Sequence, residues 1–200
     1  MAYHGYIPLV KSYLDQFETP TVLEVGLDRG ITSIPVVTHL TRKHETFLFF
    51  GVDVLIQESL KITLNYIDYS EKQNVRLCQG NSLEVLPKLV AQKAKFDVIL
   101  LDGDHNYYTV AKELEHLDDL THERSLVIID DYHGRWGDKD LWYSERKEYE
   151  NVKEATKPQE TQQQGVRPAV DEFVEKSGKW KLETPIRGRE PVVLTRIRGA

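Results

Sequence analysis

Six acidic residues stand at or just past the ends of apolar runs: Glu24, Asp53, Asp102, Asp104, Asp130 and Asp131. Carboxylates in such places accept hydrogen bonds from hydroxyls, attract ammonium groups and ligate hard cations. Three of them, Asp102, Asp130 and Asp131, would repel one another strongly if brought together. Protonation, basic partners or a divalent cation must offset that repulsion. Hard oxygen ligands that leave room for water and a substrate suit Mg²⁺, with Ca²⁺ or Mn²⁺ as alternatives. The plainer alternative is that these residues cap helices and turns. Asp104 lies two positions beyond Asp102 and can face a substrate as a general base. His105 is the other candidate, with an ordinary pKa better suited to the task.

A second constellation surrounds Glu24-Val25-Gly26-Leu27-Asp28-Arg29-Gly30, an apolar strand that turns on glycine and runs into Ile31-Thr32-Ser33. A strand, a glycine turn and a helix start expose unpaired N–H groups to a nucleotide-like ligand. The dinucleotide fingerprint would read G-x-G-x-x-G, but Glu24 occupies its first glycine position. A carboxylate there repels a pyrophosphate and attracts an ammonium. That favours S-adenosylmethionine (SAM) over a nicotinamide dinucleotide. Asp53, at the end of the second apolar run, can accept both hydroxyls of an adenosine ribose. Asn81 and Ser82 are placed to meet the adenine edge, and one of them can cap the following helix.

These residues need a frame that gathers them. Helical spacing places Tyr6, Leu9, Val10, Tyr13, Leu14 and Phe17 on a first helix over 6–17. Strands are predicted at Thr21–Val25, Thr46–Val52, Asn74–Leu77, Phe96–Leu101 and Ser125–Ile129. Helices are predicted at 31–41, 57–69, 83–91, 107–117 and 166–176. Two last strands, Trp180–Leu182 and Val192–Ile197, are joined through a hairpin loop over 184–188. Strand–helix alternation with continuous apolar strands implies an α/β fold: one doubly wound, mostly parallel, Rossmann-like sheet with an antiparallel C-terminal edge. Ligands of such sheets bind beyond the C-terminal strand ends, where all six acids fall.

Residues 132–165 show little apolar periodicity. Trp136, Trp142, Tyr143 and Tyr149 are interleaved with charges, and 159–164 is a polar run. A connection this long suggests a lid over the substrate, the alternative being a mobile insertion outside the chemistry. The 200 residues suit one domain, spanning 1–200, and 40% hydrophobic with 29% charged residues describes a globular chain. A net charge of −6 disfavours nucleic acid as a partner. The basic excess in 176–198 reads as a solvated strand face. A single cysteine, Cys78, allows no intrachain disulfide and no cysteine zinc cluster, and reads as a small buried strand residue. No basic leader with an apolar core and no apolar run approaching about 18 residues is present, so a soluble, cytoplasmic protein without a membrane partner is expected.

On the marks VLEVGLDRG, GVDV, GNSLEVLP, FDVILLDGDHNYY, LVIIDDYHG and GVRPAVDEF, the stretch Thr21 to Glu175 resembles the class I SAM-dependent methyltransferases. Within them it is similar to the metal-dependent macrocin O-methyltransferase type, which acts on sugars in antibiotic biosynthesis. The resemblance implies that Glu24, Gly26, Gly30, Thr32, Asp53, Ser82 and Asp102 line the SAM site. It also implies that Asp102, Asp130 and Asp131 hold Mg²⁺ and that Asp104 is the base. The long insertion before GVRPAVDEF and the short N-terminal region depart from that type, so a sugar is not assumed and the expected acceptor is a small-molecule hydroxyl, sugar or catechol-like. The expected function is metal-assisted methyl transfer from SAM to that hydroxyl. An NAD-dependent oxidoreductase and a non-catalytic nucleoside-binding protein are the alternatives, and a homo-oligomer is open.

Overall fold

Continuous apolar runs make the central strands because both of their faces are covered. In the computed structural model, which describes residues 5–69, 74–183 and 191–197, β4 (Val98–Leu101) and β5 (Leu126–Ile129) are buried at every position. They belong to one seven-stranded sheet of order β3-β2-β1-β4-β5-β7-β6. The other strands are β1 (Thr21–Val25), β2 (Leu48–Asp53), β3 (Val75–Gln79), β6 (Trp180–Glu183) and β7 (Val192–Arg196). Strands β1 to β5 are parallel; β7 runs antiparallel to both β5 and β6. The predicted architecture is therefore present.

Alternate strand residues feed two cores. Val22, Phe49, Val98, Leu100 and Ile128 face α1 (Ile7–Leu14), α2 (Ser33–Lys43) and α3 (Glu58–Ile67). Leu23, Val25, Ile99, Leu101, Val127 and Ile129 face α4 (Ser82–Ala91), α5 (Tyr107–Leu114), α6 (Leu117–Leu120) and α7 (Val166–Ser177). Each such side chain contributes about 1.5–3 kcal/mol when fully buried. Among the described residues no helix is long and apolar enough to cross a membrane.

The register positions the acids. Val25 pairs with Leu101, and Leu101 with Ile129, so the three strand ends form one row. The next row carries Gly26, Asp102 and Asp130. Asp102 N donates to the Val25 carbonyl at 2.8 Å and Asp130 N to the Leu101 carbonyl at 3.0 Å, which extends the parallel ladder by one residue. Because β2 and β4 leave β1 on opposite sides, a crevice opens at this edge.

Several expected boundaries shift. The helix predicted over 107–117 divides into α5 and α6, with His116 as the N-cap of α6. α2 starts at Ser33 rather than Ile31, because Gly30 to Thr32 belong to the turn. β2 runs on to Asp53, and α1 is shorter than the 6–17 periodicity. Cys78 is half-buried rather than buried, since β3 is an edge strand. The hairpin loop expected at 184–188 lies outside the described residues.

The insertion is stitched to the loop after β4. Leu141 N donates to the His105 carbonyl at 2.9 Å. Asp140 Oδ1 accepts from Tyr107 N at 2.8 Å and from Gly165 N at 2.7 Å, bridging the starts of α5 and α7. Tyr132, Leu141, Trp142 and Ala155 are buried, and two 3₁₀ turns, Tyr143–Glu145 and Lys147–Tyr149, lie between. The sparse apolar residues of this segment thus serve as anchors.

Candidate functional site

The crevice is a cavity of about 550 Å³ at the strand ends, closed on its outer side by the insertion. Its first half is the turn after β1. Gly26 has φ +86°, and a Cβ there would lie 2.0 Å from the Asp102 carbonyl oxygen, so only glycine lets β1 and the loop after β4 approach this closely. Gly30, at φ +77°, would drive a Cβ to 2.4 Å from a Leu60 methyl. Between them Asp28 takes φ +40°. The turn is held by Asp53, whose Oδ2 accepts from Leu27 N at 2.7 Å and Asp28 N at 3.1 Å, while Oδ1 accepts from Leu55 N at 2.9 Å.

Glu24 lies beneath this turn, 2% exposed, and accepts from Ser33 Oγ at 2.8 Å. Burial pushes its carboxyl up to about 8, with Ser33 opposing and Asp53 adding to the rise. At that value the neutral acid is the form present at neutral pH until a cation draws near, and an approaching cation would favour its ionisation. Thr32 is buried at the N-cap of α2 and shares a 3.3 Å hydrogen bond with the Tyr6 hydroxyl. Asn81 caps α4, its Oδ1 accepting from Leu83 N at 2.9 Å. Its Nδ2 donates to the Glu154 carbonyl at 2.7 Å and to Thr156 Oγ1 at 3.1 Å. With both ends engaged, Asn81 caps the helix and ties the insertion. Ser82 lines the cavity beside it and donates to Glu113 Oε1 at 2.6 Å.

The second half is acidic. Asp102, His105 and Asp130 each place a ligand atom within 4.8 Å of the other two. His105 Nε2 lies 3.7 Å from Asp102 Oδ1, and His105 Nδ1 lies 3.3 Å from Asp131 Oδ2. Burial holds the Asp102 carboxyl well above the carboxylate range, and the charge of Asp130 and a hydrogen bond to it add to the effect. Burial also holds His105 down at about 4, partly opposed by Asp130 and reinforced by Arg146. Asp131, at φ +56°, meets the outer nitrogen of the histidine rather than the inner trio.

Asp104 is arranged differently. Its Oδ1 accepts from Tyr143 N at 3.3 Å and its Oδ2 from Thr109 Oγ1 at 3.3 Å. Burial pushes it up to about 6. Tyr143, Arg146 and Tyr149 roof the cavity; the two rings meet edge-on at 5.1 Å, and the Arg146 guanidinium stands 4.9 Å from the Tyr143 ring. Burial, then the charges of Asp53 and Asp28, push the Tyr149 phenol up to about 12.

The expected residues therefore collect at one edge as two adjoining groups, except that Gly30 does not line the cavity but packs against Leu60 and Ile34 behind the turn. Tyr143 and Tyr149 belong to the aromatics noted in the insertion, without a position assigned to either; sequence reasoning missed Arg146 and Glu113. Arg146 carries no signal among the charges around it. Glu113 does carry one: it occupies an inward helical position among Val110, Leu114 and Leu117, where a charge is out of place.

Comparison with known proteins gives the following. Residues 23–132 match the family described as Methyltransferase domain. No curated protein matches. A candidate caffeoyl-CoA O-methyltransferase from Staphylococcus aureus superposes with a TM-score of 0.62 at 17% identity, over 98% of this chain and 85% of that one. An O-methyltransferase from Bacillus cereus, solved with S-adenosylhomocysteine (SAH), gives 0.61 at 12% identity, over 99% and 83%. MycE, a methyltransferase of the mycinamycin biosynthetic pathway solved with Mg, SAH and mycinamycin VI, gives 0.60 at 13% identity, over 100% of this chain and 52% of that one.

Proposed function

The chain belongs to the methyltransferase domain family that its residues 23–132 match, and on that premise we propose that it is a SAM-dependent O-methyltransferase assisted by a divalent cation, acting on a small-molecule hydroxyl. The observation that carries the reading is the division of one cavity into a half lined by the Gly26 turn, Glu24, Asp53 and Ser82 and an acidic half lined by Asp102, His105 and Asp130. The NAD-dependent reading is not favoured, because Glu24 stands where a pyrophosphate would have to pass.

The residues fit the two groups the reading needs. Glu24 supplies a buried acceptor for an ammonium, and the Gly26 turn brings β1 against the loop that carries Asp102. Asp102 and Asp130 are hard oxygen donors whose mutual repulsion a cation relieves, with Mg²⁺ preferred by donor type. When bound, SAM supplies the electrophilic methyl and the cation lowers the pKa of the acceptor hydroxyl.

The chain's own residues do the rest. His105 Nδ1 lies 3.3 Å from Asp131 Oδ2 and His105 Nε2 lies 3.7 Å from Asp102 Oδ1, so a proton held on Nδ1 would leave the Nε2 lone pair on the side of Asp102. Asp104, which burial raises to about 6, and His105, which burial holds at about 4, are the two candidates to take the acceptor's proton, and Asp131 stands with Asp102 and Asp130 as a cation ligand or beside His105 as its orienting partner. Asp104 also accepts from Tyr143 N and Thr109 Oγ1, which ties the insertion to the loop that carries it. Tyr143, Arg146 and Tyr149 exclude water above the acceptor and align it for in-line attack. The insertion is a lid in this reading. The acceptor class is a sugar or catechol-like hydroxyl; MycE was solved with mycinamycin VI, and the candidate S. aureus relative is described as acting on caffeoyl-CoA.

Titration calorimetry with SAH and with NAD⁺ tests the cofactor: SAH is expected to bind and NAD⁺ is not. Transfer of labelled methyl from SAM to a panel of catechols and glycosides, with Mg²⁺ present, tests the reaction. NAD⁺ binding without SAH binding would overturn the assignment.

A further inference from the structure

Glu113 takes no part in the chemistry above, yet it is the most deeply placed acid near the cavity. It is 1% exposed on the inner side of α5. It accepts from Ser82 Oγ at 2.6 Å, and its Oε1 lies 4.0 Å from where a Cβ on Gly103 would stand. Ser82 is the first residue of α4, at the end of the connection from β3, and lines the cofactor half. Gly103 separates Asp102 from Asp104 in the loop that lines the acidic half. One carboxyl is therefore bonded to the start of α4 and lies close beside the acid loop. An apolar side chain at 113 would pack among Val110 and Leu114 without the cost of burying a carboxyl. It could not bond Ser82.

Resting on the functional reading above, we propose that Glu113 is a positioning residue that couples the cofactor half of the site to the acidic half. Through Ser82 it fixes the start of α4, and by its place beside Gly103 it sets the room left for the loop that carries Asp102 and Asp104. A cofactor that orders the start of α4 then favours the acid-loop geometry that receives the cation, and by linkage the cation favours the cofactor to the same degree. The carboxyl suits this part because burial, with Asp104 adding to it, pushes it up to about 8, so the neutral acid is the form present at neutral pH. No charge is then added beneath an already acidic site.

The test uses the full chain, with Mn²⁺ as the cation and SAH as the cofactor. Mn²⁺ affinity is measured by calorimetry with and without saturating SAH in the wild type, Glu113→Gln and Glu113→Leu. The wild type is expected to bind Mn²⁺ about fivefold more tightly, or better, when SAH is present. Glu113→Gln, which keeps the size and the bond to Ser82, should retain that factor. Glu113→Leu should lose it, and a merely structural role would not separate the two. If Glu113→Leu does not fold, Ser82→Ala removes the same bond from the other side and must lose the factor as well. Full coupling in folded Glu113→Leu or in Ser82→Ala overturns the proposal, as does equal loss in Glu113→Gln. Wild type that binds both ligands independently also overturns it, while leaving the functional reading intact. Wild type that binds neither ligand fails at the functional reading itself, and the coupling falls with it.

Discussion

Asn81 Nδ2 lies 2.7 Å from the carbonyl oxygen of Glu154, so the residue that caps α4 also holds down the far end of the insertion. Its two jobs are separable. Asn81→Asp keeps the acceptor for Leu83 N and removes the donor to Glu154 and Thr156. Asn81→Ala removes both and should cost about 1 kcal/mol of stability from the lost cap. Hydrogen exchange over 152–156 should quicken in both variants, and the melting temperature should fall mainly in Asn81→Ala. Unchanged exchange in Asn81→Asp would show that the tie does not restrain the insertion.

Asp53 is committed to three backbone N–H groups of the turns around it. Asp53→Ala should therefore lose both SAH binding and stability, the latter by on the order of 3 kcal/mol for bonds to a buried charged group. Denaturant unfolding measures the loss. A variant with wild-type stability and abolished SAH binding would assign Asp53 to the ligand alone.

The two base candidates separate by assay. Whichever of His105→Gln and Asp104→Asn removes the base should lower the methyl-transfer rate by about 10²–10⁴-fold with SAH affinity unchanged. Asp104→Asn should also loosen residues 141–149 in hydrogen exchange, because Asp104 accepts from Tyr143 N. Single-turnover rates with the acceptor found by the panel decide between them, and a full rate in His105→Gln assigns the role of base to Asp104.

Mg²⁺ should raise the melting temperature, since it binds the folded site and not the unfolded chain; at a hundredfold excess over Kd the gain is about 2.7 kcal/mol. Asp130→Asn, which removes one charge from the trio, should abolish the shift. EDTA should stop turnover and leave SAH binding largely intact. Turnover at full rate in EDTA-treated protein would remove the cation from the reaction.

Glu113 gives a pH signature of its own. Its carboxyl has an ordinary value of 4.5 and is raised to about 8 in the folded chain, so between those values the folded state binds the extra proton. Stability from this group is fully present below about pH 4.5 and falls as pH rises toward 8, after which it is flat. Glu113→Gln removes that slope and should be the more stable protein at pH 8. Chemical denaturation at pH 5, 6.5 and 8 measures the difference between the two slopes.

The fold was legible because its cues are local. Phe96–Leu101 and Ser125–Ile129 can only be strands covered on both faces, and the acids that follow them had to share an edge. The site was legible to the level of which residues gather there. Their division of labour was not. Asp131 looks equivalent to Asp102 and Asp130 in the sequence, yet it stands 3.3 Å from His105 Nδ1, and Asp104 accepts from Tyr143 N, a partner that arrives from 132–165. Asn81 likewise offers an amide that a ligand could use until Glu154 and Thr156 take it. The apolar anchors of the insertion, Leu141, Trp142 and Ala155, are too far apart to show a period. Where the structure of a segment comes from a few distant contacts, periodicity has nothing to report.

The stem of that insertion has a consequence for how such a protein changes. Asp140 binds Gly165 N, Val166 N donates to the Trp136 carbonyl, and Arg167 N donates to the Gly137 carbonyl. The chain leaves the body of the molecule and returns to it at nearly the same point. What lies between, residues 141–164, can change in length without moving the sheet, provided the ties of Leu141 to His105, Tyr143 to Asp104, and Glu154 and Thr156 to Asn81 are kept. Variation is thereby channelled into the stretches between those ties, and the residues at the ties change only together with their partners in the body.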